Sequence, residues 1–260
     1  MVLVDVFPLW AVYIGTVIAV LLAAEIGFRI GMLAKRRDPT SKKPAMAGAV
    51  VGGMLGLMAF LLAFCIGIVI SQHNGRKAMV VTEANAVGTA YLRASFLDES
   101  DQSLTRDLLR EYVDIRLAAA SDPSLIESTL TRSEEIHTQL WSIVEENASN
   151  EGNSELFALF VESVNEVIDV HSLRLAAIEQ RLPRQLGIVL YAATLLSFLL
   201  VGVVSSADGE RNLMAILLFA LAFVAVFMII VDLDRPQEGL LNVSQRALSD
   251  LLQQMRALVP

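Results

Sequence analysis

The residues of this chain whose type and spacing could do chemistry lie inside apolar runs, where a polar or aromatic group finds few partners. Glu25 and Arg29 stand one helical turn apart with the acid first, the better order for an i,i+4 ion pair. An ionisable residue at membrane depth is costly and is a functional candidate by default. Arg29 sits near the basic end of its run, where it can snorkel and neutralise Glu25 locally. In the second run, Gly48, Gly52 and Gly56 keep strict four-residue spacing, with Ala45, Ala49 and Gly53 on an adjacent stripe. Such rows let helix backbones approach closely in lipid, so the spacing predicts tight packing. Phe60, Phe64, Gly67 and Ser71 continue much the same face. Bulky apolar side chains around a shared axis form a constriction that gates by dewetting; the same side chains also serve for plain packing.

Covalent chemistry is not indicated. His73, His137 and His171 are far apart in the sequence and lack metal-ligand spacing. Glycine-rich phosphate loops are absent. Glu134, Glu135, Glu145, Glu146 and Glu162 fall at ordinary solvated-face positions. The expectation is no enzyme, no cofactor and no metal. The single cysteine, Cys65, can form no internal disulfide and reads as a small buried hydrophobe. A net charge of −8, carried mostly by the middle of the chain, argues against a nucleic-acid partner.

The elements that must position these residues are four apolar runs at 8–34, 45–71, 186–206 and 212–231. Each reaches the ~20 residues an α-helix needs to cross ~30 Å of hydrocarbon. The composition agrees: 55% hydrophobic residues and a mean hydropathy of +0.57 place the chain in the membrane class. The first run lacks a positive leading segment and a small-residue cleavage pattern, so it reads as a membrane helix and not as a cleaved signal. The third and fourth runs hold almost no polar residue before Ser205 and Asp232.

Between the pairs, helical periodicity marks four segments. They cover 76–97, 102–120 (Leu104, Leu108, Tyr112 and Ile115 on one face), 124–147 and 154–182. Asp122, Pro123 and Ser124 give the third its start, and a loop at 148–153 ends it. The fourth carries Leu156, Phe160, Val164, Val167, His171, Arg174, Ile178 and Leu182 along one face and runs through Pro183 towards the third membrane helix. The fold class expected is an all-α membrane protein: hairpin 1 (1–71), an extramembrane helical domain (72–185), hairpin 2 (186–234) and a C-terminal amphipathic helix (235–260, helical over 243–258). The loop with Lys35, Arg36, Arg37, Lys42 and Lys43 against one acid, Asp38, should be cytoplasmic by the positive-inside rule. That leaves the middle domain outside. Arg76, Lys77, Arg181, Arg184, Arg235 and Arg246 nearly balance it on the other face, so charge alone leaves the side open.

The segment LLAFCIGIVISQHNGRKAMVVTEANAVGTAYLRA, residues 61–94, resembles a family of bacterial membrane proteins described as bestrophin-like. Its signature is matched by Arg76 and Lys77, by EANAVGTAYLRA at 83–94, by LREYVDIRL at 109–117, by DLDRP at 232–236 and by GLLNVSQ at 239–245. The more distant likeness to true bestrophins implies a pentameric ion channel, with second helices lining a central pore and a helical cytosolic domain continuing the conduit. On that resemblance Gly52, Gly56, Phe60, Phe64 and Gly67 become candidates for the neck. Glu83, Asn85, Thr89 and Arg93 become polar candidates near the permeation route. The helix-four exit would hold Asp232, Asp234 and Arg235. Two uses of these polar groups stay open: lining a path for ions, or satisfying one another and neighbouring helices, as buried polar groups must. The resemblance puts the middle domain in the cytoplasm, against the loop's charge.

The partners expected are the lipid bilayer, further copies of the chain (five by resemblance) and inorganic ions, in a bacterial inner membrane. Two other classes compete. A sensor or signalling protein fits an extracytoplasmic helical bundle but has only one short helix after its last span, and a scaffold has no distinguishing mark. A transporter is disfavoured, because the fourth helix lacks glycines to answer those of the second.

Overall fold

The structure, a computed structural model, describes residues 7–37, 47–151, 154–208, 213–235, 239 and 241–257. Asp38, Lys42 and Lys43 of the basic loop, Ala45, residues 152 and 153 of the predicted loop, Asn212, Pro236 and Leu258 lie outside them. Eight α-helices occur among the described residues: α1 Leu9–Arg37, α2 Ala47–Arg93, α3 Glu99–Ser121, α4 Ile126–Glu151, α5 Glu155–Glu179, α6 Arg184–Asp208, α7 Leu213–Asp234 and α8 Arg246–Ala257. No strand is found among them. Four stretches of helix are long and apolar enough to span a membrane; the chain is an all-α integral membrane protein. It divides into two compact units, residues 1–71 with 181–241, and residues 72–180 with 242–260. The C-terminal helix thus groups with the middle of the chain.

In the first unit α1 packs along α6 and against α7. The close approach is made by Gly27, Gly31 and Gly202. A Cβ on Gly27 would overlap the Leu199 carbonyl, one on Gly202 the Ala24 carbonyl, and one on Gly31 the Ser206 hydroxyl. The glycine row in α2 makes no such approach within the chain. A Cβ on Gly48, Gly52, Gly53, Gly56 or Gly67 would meet nothing within 4 Å. The opposite face of α2, with Met58, Leu62, Cys65 and Val69 at helical spacing, is buried in the core with Phe223, Phe227 and Ile230 of α7. Ile14, Ile18, Leu22, Ile26, Ile30 and Leu33 form an exposed apolar stripe on α1, as lipid-facing positions of a span do.

The second unit is a bundle of the downstream part of α2 with α3, α4, α5 and α8 around Leu109, Tyr112, Ile136, Leu140 and Phe160. Its helices start where short polar side chains replace missing backbone partners. The Asp98 carboxylate accepts from Asp101 N (3.0 Å), the Ser154 hydroxyl from Phe157 N (3.3 Å) and the Asp122 carboxylate from Ser124 N (3.0 Å). After Asp122 a 3-10 turn, Pro123–Leu125, precedes α4, which runs on to Glu151, past the predicted loop start. The amphipathic α8 buries Leu248, Leu252 and Met255, each contributing roughly 2 kcal/mol of apolar burial. Tyr91 OH donates to the Met255 carbonyl (3.2 Å), and Arg256 pairs with Asp114 (2.9 Å).

The predicted passage through Pro183 is broken. α5 ends at Glu179, residues 180–183 are not helical, and α6 begins at Arg184. Proline pushes the residue before it out of the helical region, and the freed Leu182 N–H donates to Asp234 Oδ1 at 2.6 Å.

Candidate functional site

The neck candidates come first in the chain. Gly52, Gly56, Phe60, Phe64 and Gly67 are all exposed, on the face of α2 opposite its buried row. Phe60 is 67% and Phe64 50% exposed, and the neighbouring glycines leave the helix surface bare. This is an unsatisfied apolar surface on a membrane span, able to meet lipid, other copies of the chain or an axial space.

The four polar candidates separate by burial. Asn85 and Thr89 are exposed, Arg93 is half-buried, and Glu83 is fully buried. Asn85, Thr89 and Arg93 line a polar hollow of about 310 Å³ with Thr82 from α2 and Ser163, Glu162 and Glu166 from α5. Arg93 Nη1 donates to the Leu159 carbonyl (2.7 Å) and lies 3.9 Å from Glu162. The hollow mixes hydroxyls, an amide, one guanidinium and two carboxylates, a lining that suits hydrated ions better than apolar matter.

Glu83 belongs to a different arrangement. Tyr112 OH donates to its Oε1 (2.7 Å), the Arg116 Nε lies 3.2 Å from the same oxygen, and Arg174 Nη1 pairs with Oε2. Arg174 Nη2 also donates to the Gln245 amide oxygen (2.7 Å). Because the tyrosine proton goes to Glu83, the 3.0 Å contact between Tyr112 oxygen and His171 Nδ1 requires the imidazole to donate from Nδ1. His137 stacks edge-on to His171, ring centroids 4.8 Å apart, and tilts against Tyr112 at 5.4 Å. Burial pushes both histidines down to about 4, helped by the Arg116 charge, so both are neutral at pH 7. Burial lowers Arg174 to about 10 and raises the Tyr112 phenol to about 12, leaving both protonated. One carboxylate, two guanidiniums and a chain of hydrogen bonds make a fixed charge lock with no activated nucleophile. Unpaired buried charge would be intolerable here.

The exit residues are likewise buried. Asp232 Oδ2 accepts from Leu241 N (3.1 Å), Asp234 holds Leu182 N as described, and Arg235 Nη2 donates to the Phe7 carbonyl (2.9 Å). A Cβ on Gly239 would strike the Asp232 carboxylate. These contacts hold the backbone at Phe7, Leu182 and Leu241 of the first unit to the end of α7. Among the described residues, no group of three or more His, Cys, Asp or Glu could hold a metal.

Sequence reasoning missed the meeting of His137 and His171, treating them as scattered. The signal was present, since His137 lies one turn before Leu140 and two before Val144 on the inward stripe of α4. It also left unstated that two of the matched motif segments meet: Glu83 of EANA touches Tyr112 and Arg116 of LREYVDIRL.

The sequence profile of the bestrophin-like domain matches residues 14–248. No curated protein matches the chain. Solved structures with the same fold include a bacterial bestrophin homologue from Klebsiella pneumoniae, at TM-score 0.64 and 14% identity, covering 94% of this chain and 99% of that one. A single-substitution variant of the same Klebsiella protein gives 0.64 and 13%, covering 92% and 97%. A membrane protein solved as a single-substitution variant gives 0.67 and 12%, covering 94% and 99%.

Proposed function

The chain belongs to the bestrophin-like family, and from that premise we propose that it assembles as a homo-oligomeric ion channel whose pore is lined by α2. The observation that supports this reading is the one-sided burial of α2: the neck candidates lie together on its exposed face, while the opposite face is core. A single chain of four spans encloses little space, so a pore requires copies around an axis. In this reading Gly52 and Gly56 let copies of α2 come close. Phe60 and Phe64 form the dewetting constriction, and Asn85, Thr89 and Arg93 offer polar contacts to ions. Glu83 acts through the lock that fixes α2, and Asp232, Asp234 and Arg235 hold the end of α7. The membrane is a bacterial inner membrane, and inorganic ions are the cargo.

Native mass spectrometry of the complex in nanodiscs is the test, followed by ion flux from liposomes. About five copies, the number the family resemblance implies, and a flux that rises in Phe64→Ala are expected. A monomer or dimer overturns the pore, and an unchanged flux in Phe64→Ala removes that residue from the gate.

A further inference from the structure

A second feature of the membrane unit has no part in that pore. Between α1, α6 and α7 lies a groove of about 420 Å³, within the ~300–1,000 Å³ of small-ligand sites. Leu21, Leu22 and Phe28 of α1 and Ile216 and Leu217 of α7 wall it. Of the polar groups that line it, Ser205 already donates to the Val201 carbonyl (2.8 Å). The other is Glu25, which accepts from Arg29 Nε at 2.8 Å. Arg29 is 71% exposed at its side chain, so the pairing steers a guanidinium to the groove's rim without covering it. Arg36 follows seven residues later, on nearly the same face and ~10 Å along the axis, within the basic last turn Lys35, Arg36 and Arg37. Along one side of α1 the order is therefore apolar groove, one carboxylate, then Arg29 and Arg36, with Lys35 and Arg37 flanking them in the last turn.

That order is the complement of one amphiphile. We propose that the groove seats an acyl chain of an anionic phospholipid, with the lipid phosphate held at Arg29 and the basic end of α1. The apolar walls give a chain its contacts. Arg29, paired to the lining residue Glu25, and the basic last turn beyond it outnumber that one carboxylate on α1, an excess that favours a net-negative headgroup over a zwitterion. Glu25 is a positioning residue for Arg29. The binding needs only the two hairpins and is independent of pore formation or conductance.

The test is native mass spectrometry of the full-length, delipidated protein titrated with phosphatidylglycerol or with phosphatidylcholine of the same chains. Each basic group near a headgroup is worth about a fivefold change in binding. Phosphatidylglycerol should bind at least about fivefold tighter than phosphatidylcholine. Arg29→Gln should lose about that factor for phosphatidylglycerol and leave phosphatidylcholine unchanged. Ile216→Trp, which fills the groove, should lose both lipids, while Leu218→Trp, on the exposed side of α7, should lose neither. Equal binding of the two lipids to the wild-type protein overturns the proposal, and needs no variant to fold. So does wild-type lipid retention in Ile216→Trp, or spontaneous cross-linking of two chains through Leu217→Cys, which would make a second copy the occupant.

Discussion

Two stretches of α2 put their distinctive residues to opposite use. From Gly52 to Gly67 the glycines and phenylalanines that draw the eye in the sequence face away from the chain's own core, and a Cβ on any of these glycines would meet nothing within 4 Å. At Glu83 a residue type that belongs on a surface is sealed inside, with both carboxylate oxygens taken by Tyr112, Arg116 and Arg174. The first stretch is incomplete within one chain, and the second is complete. A change in the second should therefore cost stability of the chain itself, whereas a change in the first should appear only when other molecules are present.

The largest effect tests the complete stretch. Glu83→Leu leaves two buried guanidiniums without their anion, and breaking such a lock costs about 3–5 kcal/mol. The detergent-solubilised protein should lose its monodisperse size-exclusion peak far below the wild-type temperature. Restoring the balance with Arg174→Met in the same chain should recover part of the loss, because removing both partners of a buried pair is much cheaper than removing one. No recovery would mean that Glu83 is not held by charge.

Also diagnostic of the same lock is its response to acid. His137 and His171 are neutral in the fold with pKa values pushed down to about 4, against 6.5 for a solvated imidazole. The unfolded chain then binds more protons than the folded one between those values. The histidines' contribution is whole above pH 6.5 and is lost as pH falls towards 4, by up to ~3 kcal/mol for each at ~1.4 kcal/mol per unit. Thermal inactivation measured across that window should accelerate with acid. His137→Gln combined with His171→Gln should flatten the dependence, and an unchanged slope would place its origin elsewhere.

How far the sequence could be read follows the same division. Hydropathy located four spans, and the 3.6-residue period told most of the inward faces of α3 and α5, although Leu104 and Leu156 at the starts of those stripes are exposed, because both signals are carried by one helix at a time. Neither says which helices face one another. Tyr112, His171 and Arg174 were thus recognisable as inward residues, yet their convergence on Glu83 was not, since it depends on the register between three helices. The helix was read as running on through Pro183, where it in fact breaks, and the capture of Leu182 N–H by Asp234, 52 residues away, was not legible at all. The glycines divide for a related reason. The regular row in α2 is the stronger pattern, whereas Gly27, Gly31 and Gly202 are needed because a particular carbonyl or hydroxyl comes up against them.

That contrast allows the incomplete stretch to be tested with one methyl group. Gly202→Ala drives a Cβ into the Ala24 carbonyl, which neither backbone can yield without α1 and α6 moving apart. Overpacking of this kind costs about 1–3 kcal/mol, and the loss should be the same at every protein concentration, since it arises inside the chain. Gly52→Ala meets no atom of its own chain and replaces a poor helix former with the best one, a gain of up to ~1 kcal/mol. The chain considered alone is therefore stabilised by the second change and damaged by the first. If copies of α2 pack through Gly52, the added methyl instead pushes neighbouring chains apart. Native mass spectra of Gly52→Ala should then shift from the oligomer towards single chains upon dilution, while helicity by circular dichroism stays at the wild-type value. An oligomer distribution identical to wild type would show that the bare row faces something other than another copy.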